Sequence, residues 1–211
     1  MSTFRTVRKT CSSCGHGLEV PALTSTNSFG SPDLDLRPPE MMRSTMPTWI
    51  TKCPKCGYIR DRIEMRGKRH RAFIRSKEYL TCEGAKLSSG LSRDFYKYAL
   101  ILLREHKRIE AYDAFVYAAW AADDLGNDEE AILCRNKAIA LYRKRWFMRD
   151  PDEVLIQVDL LRRVGRFADA ISLCKSMKFK DEQRKKVARF QIKLSVMKDT
   201  GCYCVEDCGL V

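Results

Sequence analysis

The 211-residue sequence lacks a long apolar run. Its longest is Ala114–Ala122 (AFVYAAWAA), about half of the ~20 residues that a membrane-spanning helix needs, so no membrane role is expected. Met1–Thr10 (MSTFRTVRKT) is basic but leads into no apolar stretch, so no secretory signal is read and a cytoplasmic location is expected. Proline nearly disappears after residue 60: six of the seven prolines precede that point and only Pro151 follows it. Acidic charge is in deficit, with 27 Asp+Glu against 39 Lys+Arg and a net charge of +12. That balance favours acidic partners, either nucleic acid or an acidic protein, without choosing between them. The ten cysteines, in a chain with no export signal, are read as thiols or metal ligands rather than disulfides.

The composition shift divides the chain. Residues 1–66 carry turn and strand chemistry, and residues 67–199 carry helical spacing, with the boundary near Gly67. Phe95, Ala99, Leu102 and Leu103 recur at i, i+4, i+7 and i+8, the stripe of an amphipathic helix. Ala111, Phe115, Ala118, Ala119 and Ala122 repeat it, Leu125-Gly126-Asn127 breaks it, and Glu130–Lys144 resumes it. Asp150-Pro151-Asp152 offers a cap followed by proline at the first helical position. A last helix is expected over Asp181–Lys198. Gly126-(x4)-Ala131-Ile132 matches Gly165-(x4)-Ala170-Ile171 at a shift of 39 residues. The pattern resembles tetratricopeptide repeats, in which a glycine at the interhelix turn precedes a small residue. Ala119 and Ala138 stand where such a pair packs closely; an ordinary helical bundle with two similar turns is the plainer reading.

Cys11-Ser-Ser-Cys14-Gly and Cys53-Pro-Lys-Cys56-Gly-Tyr58 are the strongest chemical signals. In each, the glycine lets the backbone bend under two converging sulfurs. Four thiolates close a tetrahedral shell around one structural Zn2+, because the ion offsets their mutual repulsion. Leu18–Val20 and Thr48–Thr51 are short β-prone flanks. A closed four-cysteine shell leaves no coordination position for catalysis. His16 is read as a surface residue, and His70 and His106 as solvated helix positions.

The 38 residues between the two pairs exceed ordinary ribbon spacing, so an insertion is expected over Leu23–Met46 (LTSTNSFGSPDLDLRPPEMMRSTM). It is either a flap packed on the ribbon or a binding loop. Asp33-Leu34-Asp35-Leu36-Arg37 alternates polar and apolar residues. Leu34 and Leu36 are expected inward, with Asp33, Asp35 and Arg37 outward as a partner surface.

Taken in order, CxxC, STNSFGSPDLDLRPPEMMRST, WITKCPKCGY and AFVYAAWAADDLGN resemble the bacterial family catalogued as domain of unknown function 2225. The likeness runs from about Thr10 to Met197. It implies a zinc ribbon joined to tetratricopeptide-like helices, with Cys11, Cys14, Cys53 and Cys56 as metal ligands. It also marks Ala118-Ala119-Trp120 and Asp123-Asp124 as part of a helical signature, and implies no activity.

Weaker candidates remain. Residues 60–78 hold eight Lys/Arg against three acids; Arg60, Arg62, Arg66, Lys68, Arg69 and Arg71 beside a ribbon could neutralise phosphates. Arg143–Arg149, with Trp146 and Phe147, is a second basic cluster. Trp120, Asp123 and Asp124 close one helix, where acids oppose the macrodipole. Capping of the following helix or a salt bridge to Arg162 or Lys137 would offset that; a partner-facing role is the other reading. Cys82, Cys134 and Cys174 are read as core thiols. Cys202, Cys204 and Cys208, with Asp207, offer a second metal site in the tail, 200–211, against the plainer reading of a disordered or redox-active tail. The fold class is therefore a small β zinc ribbon followed by an all-α tetratricopeptide-like domain. The expected function is a non-enzymatic adaptor for a protein or peptide, with nucleic-acid binding as the alternative.

Overall fold

The structure, a computed structural model, describes residues 1–65, 70–88, 90–142 and 150–209. Strands β1 (Thr3–Thr10) and β2 (Gly17–Ser25) pair antiparallel, with Thr10 opposite Gly17 and Val7 opposite Val20. The short strands β3 (Thr51–Lys52) and β4 (Ile59–Arg60) form a second two-stranded sheet. Each hairpin is closed by one CxxCG turn. The Thr48–Thr51 stretch is not a strand throughout, because Arg43–Thr48 forms a 3-10 helix that runs up to Trp49.

Helices α1 (Lys77–Leu80), α2 (Gly90–Arg104), α3 (Arg108–Asp123), α4 (Asp128–Tyr142), α5 (Pro151–Arg163), α6 (Phe167–Lys175) and α7 (Glu182–Val196) follow. The cap read from the sequence is in place: Asp150 Oδ1 accepts from the Asp152 amide at 2.8 Å ahead of Pro151. Asp181, expected as the first residue of the last helix, instead caps it, and its Oδ1 accepts from the Arg184 amide at 2.8 Å.

The chain divides into two compact units, Met1–Asn27 with Met41–Cys134, and Ser28–Glu40 with Arg135–Val211. This grouping differs from the expected spans 1–66, 67–199 and 200–211. The ribbon shares a unit with α2 and α3, and the expected boundary residue, Gly67, lies outside the described residues.

In the first unit α2 packs on α3. The stripe read from the sequence is too narrow. Tyr96, Leu100 and Ile101 are buried along with Phe95, Ala99 and Leu102, and α3 buries nine residues including Ala118, Ala119 and Trp120. A helix apolar on most sides belongs inside, and Tyr96 meets Phe115 edge-on at 5.0 Å.

In the second unit α5, α6 and α7 pack against one another, and residues 28–40 belong with them rather than with the ribbon. Asp33 and Cys204 form an antiparallel bridge. The Leu34 amide donates to Tyr203 O and the Val205 amide to Pro32 O, both at 2.9 Å. The expected outward placement of the acids is overturned: Asp33, Asp35 and Arg37 are 6%, 3% and 5% exposed, whereas Leu36 is 50% exposed. The segment is a turn, not a strand. The Leu36 amide bonds Asp33 O, the Asp33 amide bonds Arg37 O, and Leu36 sits at φ 63°, so an alternation of faces does not apply. Asp35 lies 3.5 Å from Arg163, and the Cys202 thiol donates to Asp33 Oδ2 at 3.5 Å.

Two variants test this packing. Ala119→Leu should destabilise the fold by about 1–3 kcal/mol through overpacking at a fully buried position and so lower the melting temperature; an unchanged melt would place Ala119 at the surface. Replacing Asp33, Asp35 and Arg37 together with Ala should also destabilise, at ~1–3 kcal/mol for each buried polar group lost from its network. A variant melting like wild type would show that this strap is loosely held.

Candidate metal centre

The two CxxCG turns are copies of one another. The Cys11 amide donates to His16 O at 2.9 Å and the Gly15 amide to Cys11 O at 2.8 Å. The Cys53 amide donates to Tyr58 O at 2.8 Å and the Gly57 amide to Cys53 O at 2.9 Å. Gly15 and Gly57 sit at φ +74° and +73°, a conformation that a Cβ penalises. Both turns therefore tip a pair of sulfurs to one side, and the pairs face each other.

The four sulfurs lie within 4.8 Å of one another. Cys11 Sγ is 3.8 Å from Cys56 Sγ, and Cys14 Sγ is 3.6 Å from Cys53 Sγ. Tetrahedral metal–sulfur bonds of ~2.3 Å require sulfur separations of about 3.8 Å, so the donor set fits one ion. All ten cysteines are free thiols. Burial raises the Cys11 thiol and pushes that of Cys56 up to about 12. At Cys14 burial is outweighed by a backbone hydrogen bond with His16 and by the neighbouring thiols, which lower it. A metal entering the cluster displaces these protons, so binding weakens as pH falls.

The surroundings hold the turns in place. The Ser12 amide donates to Ile63 O at 3.0 Å, Arg71 Nε donates to Ser13 O, and Tyr79 Oη donates to Gly57 O at 2.7 Å. Beside the second turn lies a charged cluster absent from the sequence reading. Arg60 forks onto Glu105 at 2.5 and 2.9 Å and donates to Tyr58 Oη at 3.0 Å. His70 donates to Glu105 at 2.8 Å and stacks on Tyr58 at 5.9 Å.

This cluster corrects two expectations. Arg60, named as a phosphate contact, is buried in a bidentate ion pair, and His70 is buried rather than solvated. Arg62 and Arg71 are exposed, although Arg71 is bound to the first turn; Arg66, Lys68, Arg69 and the 143–149 cluster lie outside the described residues. His106 is exposed, as expected, but lies in the turn after α2 rather than in a helix, and His16, expected at the surface, is half-buried. Trp120 is buried against Tyr117, 5.0 Å between ring centres, which withdraws it from any partner surface. Asp123 is half-buried and Asp124 exposed. Arg162, considered as their counter-ion, gives its guanidinium to Asp159 at 2.6 Å and to Asp199 O at 2.9 Å. Cys82, Cys134 and Cys174 are core thiols as read. Cys202, Cys204 and Cys208 do not converge: among the described residues the four ribbon cysteines form the one cluster of metal-ligating groups. Cys204 is tied instead into the bridge with Asp33.

No protein-family model, curated protein or solved structure was found to match the chain. Among the described residues no helix is long and apolar enough to cross a membrane.

The Arg60–Glu105 pair has a pH signature. Burial works against the Glu105 carboxylate, but the Arg60 and His70 hydrogen bonds outweigh it and hold the group at about 2. Its folded pKa therefore lies below the unfolded carboxylate value of ~4.3. The stabilisation is complete above that value and is lost as pH falls toward 2. Glu105→Gln should lower the melting temperature at neutral pH and flatten its decline below about pH 4. Parallel acid limbs for the two proteins would refute this.

Proposed function

We propose that the chain is a non-enzymatic adaptor in which Cys11, Cys14, Cys53 and Cys56 hold one structural Zn2+ and helical hairpins engage a protein or peptide. Membership of the domain of unknown function 2225 family belongs to the same reading and rests on the sequence strings. The observation that carries the metal role is the pair of matching CxxCG turns with sulfurs at tetrahedral separation. Four protein thiolates fill the shell, so no position is left for substrate. Ten free thiols suit a reducing, cytoplasmic setting.

The tetratricopeptide-like part of the reading is supported by its turns. Asn127 amide bonds Ala122 O at 3.0 Å and Gly126 amide bonds Asp123 O at 2.9 Å. Thirty-nine residues on, Arg166 amide bonds Leu161 O at 2.8 Å and Gly165 amide bonds Arg162 O at 2.9 Å. A helical hairpin of this kind can hold a peptide against its exposed face. Asp33, Asp35, Arg37 and Trp120 are too buried to form that surface, so Asp124 and the outer helix faces are left for it.

Metal analysis tests the reading first. Protein never exposed to chelator should carry about one zinc per chain, and a chelator should lower its melting temperature and release protons as metal returns. Metal-free protein, or iron in place of zinc, would overturn the assignment. Purified protein should show no excess absorbance at 260 nm; an excess that high salt removes would replace the adaptor with the nucleic-acid reading.

A further inference from the structure

The first unit contains a cleft of about 190 Å³ whose walls are aromatic and whose rim is acidic. Trp49, at the end of the 3-10 helix, meets Tyr117 of α3 at 5.2 Å with their planes 76° apart. Phe95 of α2 meets the same Tyr117 at 5.6 Å and 74°. Tyr98 completes the lining. Rings set near right angles around one shared ring make a box rather than a stack, and a box presents several π surfaces to one occupant. Trp49, Tyr98 and Tyr117 are each only partly buried, so the box opens to solvent instead of closing into core.

The charge around it has one sign. Asp61, Glu110 and Asp113 line the cleft, and among the described residues of its lining none is basic. Asp61 shares its charge with Arg60, 3.8 Å away, whereas Glu110 is exposed on the first turn of α3. In a chain of net charge +12, three carboxylates grouped around aromatic rings are a local reversal of field. Burial, together with Asp61, raises the Tyr98 phenol, and burial with Asp113 raises that of Tyr117 to about 12. Both rings therefore stay neutral and keep the electron-rich faces that attract cations.

We propose that this cleft, formed by Trp49, Tyr98 and Tyr117 with Glu110 and Asp113 and backed by the fully buried Phe95, binds an organic ammonium group. The cation would lie against the ring faces, held by their quadrupoles and by the carboxylate field, in a site that excludes anions. Its volume exceeds the ~150 Å³ of an apolar cavity known to take benzene, which leaves room for a trimethylammonium head or the end of a methylated lysine. The site is separate from the metal centre and independent of the adaptor reading.

Calorimetric titration of the 211-residue, metal-loaded chain at constant ionic strength tests it, with choline as probe and 3,3-dimethylbutan-1-ol as its uncharged isostere. Choline should bind at least about tenfold more tightly than the isostere. Tyr117→Leu should weaken choline binding about tenfold or more. Because Tyr117 also packs on Trp120, Glu110→Gln provides a second variant at an exposed position, which should weaken choline several-fold and leave the isostere unchanged. N-acetyl-trimethyllysine methylamide separates the sources of the group. Tighter binding than choline points to a partner's lysine side chain, and weaker binding to a free ammonium metabolite. Equal affinity for choline and its isostere, or no choline binding by folded wild-type protein at about 10 mM, would overturn the proposal.

Discussion

Four sulfurs brought together from positions 11, 14, 53 and 56 are the constraint on which the first unit depends. Neither hairpin could stand alone. β3 and β4 are two residues each, and an isolated two-stranded hairpin is marginal in water. The CxxCG turns convert that weakness into geometry. Each holds its backbone by the same pair of hydrogen bonds around a glycine at positive φ, so both sulfur pairs arrive with fixed direction. The cluster then joins segments 45 residues apart in the chain, a closure that a small sheet with little core could not supply by burial.

Around that closure the unit places groups that work by pairing rather than by exposure. Arg60 follows directly from the second turn through β4 and turns its guanidinium inward to Glu105. A bidentate pair of this kind is directional, and His70 and Tyr58 complete it. Breaking one partner would leave the other charged and buried, the costly case for ion pairs. The net charge of the chain is thus a poor guide to its surface, because part of the basic stretch after residue 60 is consumed inside.

What the sequence revealed and what it hid divide along physical lines. The cysteine turns were legible because ligand spacing and glycine are local. The cap at Asp150 was legible for the same reason. Arg60 was not, since its partner lies 45 residues away and a run of charges reads as a solvated face. The strap was misread for a subtler cause. Asp33–Arg37 has the period of a strand, but Leu36 takes a left-handed conformation, which cancels the alternation and sends the acids inward. Its partners, Arg163 and Cys202, are more than a hundred residues distant and leave no local trace. The amphipathic stripe of α2 gave the helix but understated its burial, because periodicity reports one face and α2 is buried on more than one.

The helix stops carry the last step. Gly126 and Gly165 announced two of them, yet the same arrangement ends α2 and α7 without glycine. His106 at φ 62° precedes a bond from the Lys107 amide to Leu102 O at 2.9 Å, and Lys198 at φ 56° precedes one from the Asp199 amide to Leu194 O at 3.0 Å. In all four the residue at positive φ is followed by an amide that reaches back five residues, the closure that satisfies carbonyls otherwise orphaned at a helix end. A residue with a Cβ pays ~1–2 kcal/mol for this conformation. Its use at His106 and Lys198 means that the hydrogen bonds and the packing that follows outweigh that cost. The turn is therefore set by what must be buried on either side of it, and glycine marks only the places where the chain meets that demand without strain.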